Sequence, residues 1–199
     1  VAVRSSSLLE DSHYQPFAGI YNTYMVPLLD NRHRMLSMLC DAIKGVYASV
    51  FFKDSKAYMQ ATRNVIDEEK MAVVLQEVVG RRYGDHFYPN ISGVGRSLNY
   101  YPINDERADE GIVSLALGLG KYIVDGGLTL RVCPHHPAKV LQTSETEIAL
   151  RETQTRFYAL DLTNRGDNFS IDDSFNLLRL PVKEAEKDGS LQFIASTYN

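Results

Sequence analysis

Short apolar runs, broken by glycine or by polar turns, constrain the fold of this chain more than any other feature of its sequence. Runs rich in β-branched and aromatic residues recur along the whole chain and outnumber the helical patterns. Strands and helices do not alternate regularly, as they would in a doubly wound parallel fold, so the pattern predicts an α+β fold with a mostly antiparallel sheet and flanking helices. The strand-like runs are residues 1–3, 17–26, 71–79, 87–91, 94–101, 111–117, 128–132, 155–162 and 191–196, and residues 174–180 fit either state.

The clearest helical pattern begins after Asp30, which is a suitable N-cap. Apolar residues then recur at helical spacing and predict one buried face. Shorter helices are expected at about residues 54–63, after Gly118, and from Pro181 to just before Gly189. The predicted buried face of the first helix consists of Met35, Leu36, Leu39, Ile43, Val46, Tyr47 and Val50.

The composition excludes several classes of protein. The net charge of −4 gives no basic footprint for nucleic acid. The longest apolar runs are far shorter than the roughly 18 residues of a membrane span, so no membrane partner is expected. Two cysteines are too few for a disulfide framework, which favours a reducing, cytoplasmic location.

The ends of the chain suggest a cut piece. The sequence starts at Val1 directly in an apolar run, and the last strand-like run ends without a polar tail. We expect an excised fragment of a longer protein, with a processed N-terminus as the alternative. A chain of 199 residues can form one domain, or one large and one small.

Arg4 and the three serines that follow it form the first candidate site. A guanidinium at the end of a short strand offers a rigid fork of donors that suits phosphate oxygens. Neighbouring hydroxyl and backbone N–H groups can add anion contacts. The alternative is a surface arginine paired with Glu10 or Asp11.

Three further residues fit a nucleotide. Gly19 can allow a backbone to approach a phosphate closely, and Thr23 can donate its hydroxyl, although on the local sequence alone a plain hairpin glycine is the favoured explanation of Gly19. Gln76 interrupts an apolar strand, and its amide is both donor and acceptor, which suits the edge of a purine. The alternative for Gln76 is a solvent-facing position on an alternating strand.

Other motifs carry less information. Neither a P-loop nor a GxGxxG fingerprint is present, and the Gly118-Leu119-Gly120 turn alone is nonspecific. The pair His135-His136 lies beside Cys133, but the spacing matches no standard zinc pattern, which favours a plain loop. No Ser/His/Asp or Cys/His arrangement stands out.

Taken together, five segments in order resemble motifs of the phosphoenolpyruvate synthase and pyruvate phosphate dikinase family. They extend over roughly residues 1–135, and the ordered set is more specific than any one of them. The rest, residues 136–199, matches no motif. The segments are residues 3–11 (VRSSSLLED, like VRSSxxxED), residues 17–23 (FAGIYNT, like FAGQxxT), residues 72–76 (AVVLQ, like AVVVQ), residues 92–94 (SGV) and residues 118–120 (GLG, like GLGE).

The resemblance implies an ATP-grasp nucleotide-binding domain, of which residues 1–199 would be the C-terminal portion, as a single domain. In that family ATP phosphorylates a histidine on a separate domain, which passes the phosphoryl group to pyruvate. Matched by motif, Arg4 would bind the ATP phosphates and act in catalysis, Gly19 and Thr23 would line the phosphate and adenosine region, and Gln76 would lie near the adenine.

Two departures from the family pattern concern the residues expected to bind Mg²⁺. The family's GLGE glutamate helps hold Mg²⁺, and Lys121 stands in its place here. A protonated lysine cannot ligate Mg²⁺, which wants oxygen ligands. A second family metal residue, a Gln, falls near Cys133. Lys121 either neutralises phosphate charge directly or points to solvent.

These observations lead to one main hypothesis and two rivals. The main hypothesis is the ATP-binding part of an ATP-dependent phosphotransferase, similar to phosphoenolpyruvate synthase, that is inactive in isolation. Its partners would be ATP and the other domains of a longer chain, where pyruvate acts. Mg²⁺ would join them only if other residues replace the lost glutamate ligand. A homodimer is compatible with this hypothesis. The rivals are a degenerate nucleotide-sensing or structural module, and a related dikinase with another acceptor.

Overall fold

The chain forms two compact units in the computed structural model, which describes residues 1–7, 10, 19–62, 69–163, 169–192 and 194. Unit 1 comprises Val1–Val79 and Leu160–Leu177, and unit 2 comprises Gly80–Ala159 and Leu178–Asn199. The elements are β1 (Ala2–Ser7), β2 (Tyr24–Met25), α1 (Arg32–Ser49), α2 (Lys53–Thr62), β3 (Met71–Gln76), β4 (Arg81–Tyr83), β5 (His86–Tyr88), β6 (Ser92–Arg96), β7 (Ile112–Ala116), α3 (Lys121–Val124), β8 (Leu130–Val132), α4 (Thr146–Glu152), β9 (Arg156–Asp161), β10 (Leu177–Pro181) and α5 (Val182–Lys187).

Unit 1 is a three-stranded sheet with a long helix on one face. The strand order is β2-β1-β3, and both pairs are antiparallel. α1 packs against the sheet because its apolar side chains meet those of the central strand. The fully buried core of this unit consists of Val3, Tyr24, Val26, Met38, Ala42 and Val46.

Unit 2 contains a four-stranded sheet, in the order β10-β9-β5-β4, and a three-stranded sheet, in the order β6-β7-β8. Tyr88 is fully buried at the centre of its core, and its hydroxyl donates to Asp188 Oδ2 at 2.7 Å. This hydrogen bond satisfies a polar group that would otherwise be costly to bury. The core around Tyr88 consists of Leu117, Phe157, Ala159 and Ala185.

The α+β prediction is confirmed in its coarse form. Helices accompany the sheets in both units, and the strand pairs with described register are antiparallel in each of the three sheets. A tight turn joins the antiparallel strands β4 and β5, whereas β1 and β3 pair across a long stretch of chain that contains both α1 and α2.

The N-cap predicted for α1 is wrong, and so are two of the seven residues predicted for its buried face. Val46 and Val50 are buried, and Leu39 and Ile43 pack against the core, as predicted. Asn31, not Asp30, caps the helix, because its side-chain oxygen accepts the Arg34 N–H at 3.1 Å. Leu36 and Tyr47, predicted as core, are 58% and 48% exposed. Apolar residues cover two adjacent stripes of this helix, so spacing alone does not say which stripe meets the sheet. The fully buried residues of α1 are Met38, Ala42, Gly45, Val46 and Ser49.

Several strand bounds also differ from the predictions. The expected strand at residues 17–26 is reduced to β2, although residues 17 and 18 lie outside the described part. The run 94–101 leaves the sheet after Arg96, since Asn99 turns inward to donate to Glu106 Oε2 at 2.9 Å. β4 and α4 were not predicted. Of the expected strand at 191–196, Leu191, Gln192 and Ile194 lie in turns, and the other residues are outside the described part.

One helical stretch meets the length and composition test for a membrane span. Arg32–Ala61 has a mean hydropathy of 1.4 in its most apolar window, and 33% of that window is buried. The test is weak support for a membrane, because the core helix of a folded domain passes it as well. α1 supplies core residues to unit 1, as such a helix does.

Candidate functional site

The register between β1 and β3 places two predicted site residues on the same face of the unit 1 sheet. Arg4 pairs with Val74, and Ala2 pairs with Gln76. Paired residues of an antiparallel ladder point to the same face, and so do residues two apart along one strand. Arg4 and Gln76 are therefore diagonal neighbours, and their Cα atoms are expected about 7–8 Å apart.

This face is the one turned away from α1. Val3 and Val73 lie on the other face, where they belong to the core formed with the helix. Arg4, Val74 and Gln76 are exposed. We call this side of the unit 1 sheet the open face. A ligand can reach its polar groups without disturbing the core.

Thr23 directly precedes β2, whose register with β1 points toward Arg4. Tyr24 pairs with Val3, so the same register continued by one residue brings Thr23 opposite Arg4. β2 and β3 flank β1 on opposite sides. Thr23 and Gln76 therefore lie on either side of the arginine strand, as a ligand extending across β1 would require.

Gly19 begins the described part of the loop that leads to β2. Its φ is +82°, in the left-handed region that glycine adopts without strain. The preceding Phe17 and Ala18 lie outside the described residues. The conformation is compatible with both expectations for Gly19, a plain turn and a close backbone approach to a ligand.

The structure corrects the placement of Arg4. It lies inside β1 rather than after a short strand, because β1 continues through all three serines to Ser7. Glu10, the described candidate for an ion pair with Arg4, instead accepts the Ser5 hydroxyl at 2.7 Å and the Ser7 N–H at 2.9 Å. Asp11, the other candidate, lies outside the described residues.

Unit 1 also contains a polar pair, Tyr21 and Glu69, that the sequence did not predict. Tyr21 is buried and donates its hydroxyl to Glu69 Oε2 at 2.6 Å. Burial, followed by this hydrogen bond, raises the pKa of Tyr21 above its ordinary value. Among the described residues, nothing donates to the buried Oε1 of Glu69. The two residues are far apart in sequence, so no local pattern signals this pair.

The Gly118-Leu119-Gly120 turn in unit 2 depends on glycine at its first position. Gly118 has a φ of +86°, and a Cβ there would lie 2.7 Å from the carbonyl oxygen of Tyr158. The turn is held by the Leu119 N–H, which donates to the same carbonyl at 2.9 Å, and by Ser92 Oγ, which donates to the Gly118 carbonyl at 2.6 Å. Packing against β9 therefore explains this turn without a ligand.

Lys121 follows this turn as the first residue of α3. Its ammonium Nζ lies 3.3 Å from Asp125 Oδ1, and its side chain is 20% exposed. The expectation that it simply points to solvent is therefore wrong. Lys121 belongs to unit 2 and the other four predicted site residues belong to unit 1.

The residues in place of the expected Mg²⁺ ligands do not fit a divalent metal. Lys121 offers no acceptor atom. Cys133 is 1% exposed, and its thiol donates to Glu110 Oε2 at 3.7 Å, the carboxylate that also lies 3.3 Å from His136 Nε2. Mg²⁺ prefers oxygen ligands in octahedral geometry. Across the described ranges, no group of three or more His, Cys, Asp or Glu side chains is arranged to hold a metal ion.

Comparison with known families finds a match over most of the chain. The profile of the pyruvate phosphate dikinase AMP/ATP-binding domain matches residues 1–174. The match therefore extends past residue 135, where the last recognisable motif ends, and includes parts of both units.

Two curated relatives share about two thirds of the chain. An uncharacterised phosphotransferase of Bacillus subtilis, YvkC, is 33% identical over 130 residues, which are 65% of this chain and 14% of the relative. A phosphoenolpyruvate synthase of Aeropyrum pernix is 30% identical over 129 residues, again 65% of this chain and 14% of the relative. The matched region is thus a small part of each relative's length.

Proposed function

The chain belongs to the family of pyruvate phosphate dikinase AMP/ATP-binding domains, and from this premise we propose that the open face of unit 1 binds ATP. The observation that carries the proposal is the register of β1 with β3, which brings Arg4 and Gln76 to one exposed face. A phosphate-binding and a base-reading group are both needed for a nucleotide. These two residue types supply them from neighbouring strands.

Each residue has a defined role in this proposal. Arg4 binds the phosphates through its guanidinium fork, which suits phosphate oxygens. Gln76 offers a donor and an acceptor to the adenine edge. Thr23 donates its hydroxyl and Gly19 lets the backbone approach the ligand. Phosphoryl transfer depends mainly on such positioning and on charge stabilisation.

The larger reaction is proposed for the whole protein rather than for this chain alone. The chain spans 14% of the length of the two relatives that it matches. We propose an ATP-dependent phosphotransferase that resembles phosphoenolpyruvate synthase, with residues 1–199 forming the C-terminal portion of an ATP-grasp-like domain. A phosphohistidine on another domain would carry the phosphoryl group to pyruvate, so the isolated chain should not turn over.

Two alternative functions are compatible with membership of the same family. Lys121 at the expected metal-ligand position favours a degenerate module that senses nucleotide or serves the structure. A related dikinase with another acceptor is equally compatible, because the acceptor would act outside this chain. If the full-length protein forms phosphoenolpyruvate from ATP and pyruvate, the hypothesis of a degenerate module is wrong. The same result would identify pyruvate as the acceptor.

The test of the binding site is the substitution Arg4→Ala in the full-length protein. A charge-assisted hydrogen bond contributes about 1.5–3 kcal/mol, so ATP should bind roughly 10- to 100-fold more weakly. Isothermal titration calorimetry with ATP, with and without Mg²⁺, measures the change.

The matched control is Arg32→Ala, which removes an exposed arginine from the start of α1 in the same unit. It removes the same charge but lies on the helix and not on the open face, so its ATP affinity should equal that of the native protein. Native affinity in Arg4→Ala, or an equal loss in both variants, would remove Arg4 from the site.

A further inference from the structure

Ser6 is a polar residue of the open face that has no role in the ATP site as proposed above. It lies two residues after Arg4 on β1, so the two side chains are on the same face of the strand. Its cross-strand partner on β3 is Ala72, which is exposed. Ser6 is itself partly exposed, so a ligand on the open face can reach its hydroxyl.

The serines on either side of Ser6 are engaged elsewhere. Ser5 and Ser7 are buried, and both bind to Glu10. The Ser5 hydroxyl donates to Glu10 Oε1 at 2.7 Å, and the Ser7 hydroxyl accepts the Glu10 N–H at 3.1 Å. These two serines therefore hold the turn after β1, and Ser6 is the serine of this strand that faces a ligand.

Arg4 and Ser6 keep their polar groups available. Within the described ranges, no hydrogen bond or ion pair engages the Arg4 guanidinium or the Ser6 hydroxyl. A guanidinium without a carboxylate partner attracts anions, and a serine hydroxyl can donate to the same anion. Together the two residues offer a charge and a further hydrogen bond to one phosphate chain.

Gln76, Arg4 and Ser6 lie along one line on the open face. Gln76 is level with Ala2 in the register of β3 with β1, and Arg4 and then Ser6 follow at steps of two residues. The line extends over about 14 Å, because each residue of a strand adds about 3.4 Å. ATP has its base at one end and its terminal phosphate at the other. With the base at Gln76 and the inner phosphates at Arg4, the terminal phosphate lies at Ser6.

The charges at the two ends of this line favour the same direction. Glu77 follows Gln76 and is exposed, so a terminal phosphate at that end would meet a carboxylate of like charge. The acidic residue near the other end is Glu10, and both of its carboxylate oxygens accept hydrogen bonds from Ser5 and Ser7. The end at Ser6 is therefore the better place for the phosphates.

We propose that Ser6 donates its hydroxyl to the terminal phosphate of ATP and thereby makes the open face prefer ATP to ADP. ADP ends at the phosphates that Arg4 holds, so in its complex the Ser6 hydroxyl meets only water. This inference rests on the proposed ATP-binding function, to which it adds a specificity-determining residue and a direction of the nucleotide.

The experiment measures ATP and ADP affinity by calorimetry, in one buffer, for the native full-length protein, Ser6→Ala and Ser6→Thr. Ser6→Ala should bind ATP about tenfold more weakly and ADP with native affinity, since a hydrogen bond to a charged group is lost only with ATP. Ser6→Thr keeps a hydroxyl at this position, so its ratio of ATP to ADP affinity should stay close to the native ratio.

Ser5→Ala is the matched control, because it removes the neighbouring hydroxyl of the same strand, which binds Glu10 and not the ligand. It should keep the native ratio of ATP to ADP affinity, and thermal unfolding should show that all three variants are folded. A native ratio in Ser6→Ala, or an equal change of the ratio in Ser5→Ala, overturns the inference.

Arg4→Ala separates failure of this inference from failure of the proposed function. Arg4 is placed at the inner phosphates, so its loss should weaken ATP and ADP alike. If Arg4→Ala weakens both nucleotides and Ser6→Ala leaves the ratio unchanged, the inference fails and the proposed function stands. If the native protein binds neither nucleotide, the proposed function fails and the inference fails with it.

Discussion

Arg4 illustrates how a single residue in this chain acquires a role from its neighbours. From Val3 to Ser5 its strand alternates between the core face, occupied by Val3 and the buried Ser5, and the open face, occupied by Arg4, whereas Ala2 on the open face is buried. A charged residue at an alternating strand position normally faces solvent, and here the position costs the core nothing. Its neighbour across the ladder, Val74, is 41% exposed, which is high for a valine in a sheet. A ligand on the open face would cover this apolar surface.

Gln76 should distinguish base recognition from phosphate binding. Gln76→Leu removes the amide and keeps the approximate size of the side chain, so ATP should bind about fivefold to tenfold more weakly, the loss of one or two neutral hydrogen bonds. Tripolyphosphate has no base, so it should bind to Gln76→Leu with the same affinity as to the native protein. Calorimetry with both ligands measures the difference.

Arg4→Ala is the reciprocal comparison for this prediction, because it should weaken both ligands. If Gln76→Leu weakens tripolyphosphate as much as ATP, Gln76 does not read the base. If it affects neither ligand, Gln76 is the solvent-facing strand residue that the sequence also allowed.

At the scale of the element, α1 shows the limit of periodicity. Its stripe through Met38, Ala42 and Val46 is buried, and a second stripe through Leu36 and Tyr47 is exposed. Both stripes follow helical spacing. Ala42 and the neighbouring Gly45 let this side of the helix approach the sheet closely, since a Cβ at Gly45 would lie 2.7 Å from the ring of Tyr24.

The orientation of α1 predicts opposite outcomes for two similar substitutions. Met38 is 4% exposed, and Met38→Ala should lower the free energy of unfolding by about 2–5 kcal/mol, because it leaves a cavity in the core. Leu36 is 58% exposed, and Leu36→Ala should change stability by less than about 0.5 kcal/mol. Urea unfolding measures both, and the reverse order would show that Leu36 rather than Met38 faces the sheet.

At the scale of the whole molecule, buried or half-buried tyrosines occur in both units. Their pKa values are raised above the ordinary value, with burial as the first cause in each case. The protonated phenol is therefore stabilised in the folded state, while an unfolded tyrosine loses its proton near pH 10. This stabilisation is complete below about pH 10 and is lost as the pH rises above it. The four residues are Tyr21, Tyr24, Tyr88 and Tyr158.

We therefore predict a steep loss of stability above about pH 10, of which Tyr88 contributes a measurable share. Tyr88→Phe should be less stable at about pH 8, because Asp188 and Ser190 lose a buried partner, but it should lose less further stability at about pH 11. Urea unfolding at the two pH values measures this. Tyr100→Phe, at an exposed hydroxyl, should retain the native loss, and an equal loss in Tyr88→Phe would contradict the assignment.

How much of the structure the sequence predicts differs between the residue, the element and the whole molecule. The family membership implied by the ordered motifs is confirmed, and so is the α+β class with antiparallel pairing. The five predicted site residues stay proposals, although the register supports placing Arg4, Thr23 and Gln76 around one strand. The ion pair of Lys121 with Asp125 joins residues at the i, i+4 spacing of a helix, which is a local pattern, whereas the hydrogen bond of Tyr21 to Glu69 had no detectable sequence signal.

The sequence by itself determined which residue types were available and in what local pattern: an arginine among serines, a glutamine ending an apolar run, and glycines where turns are required. These features act over a few residues, so they can be read locally. Tertiary structure decided which stripe of α1 is buried, which face of the sheet Arg4 shares with Gln76, and which carboxylate meets Tyr21. Those outcomes depend on strand register and on packing between distant segments, which no local pattern specifies.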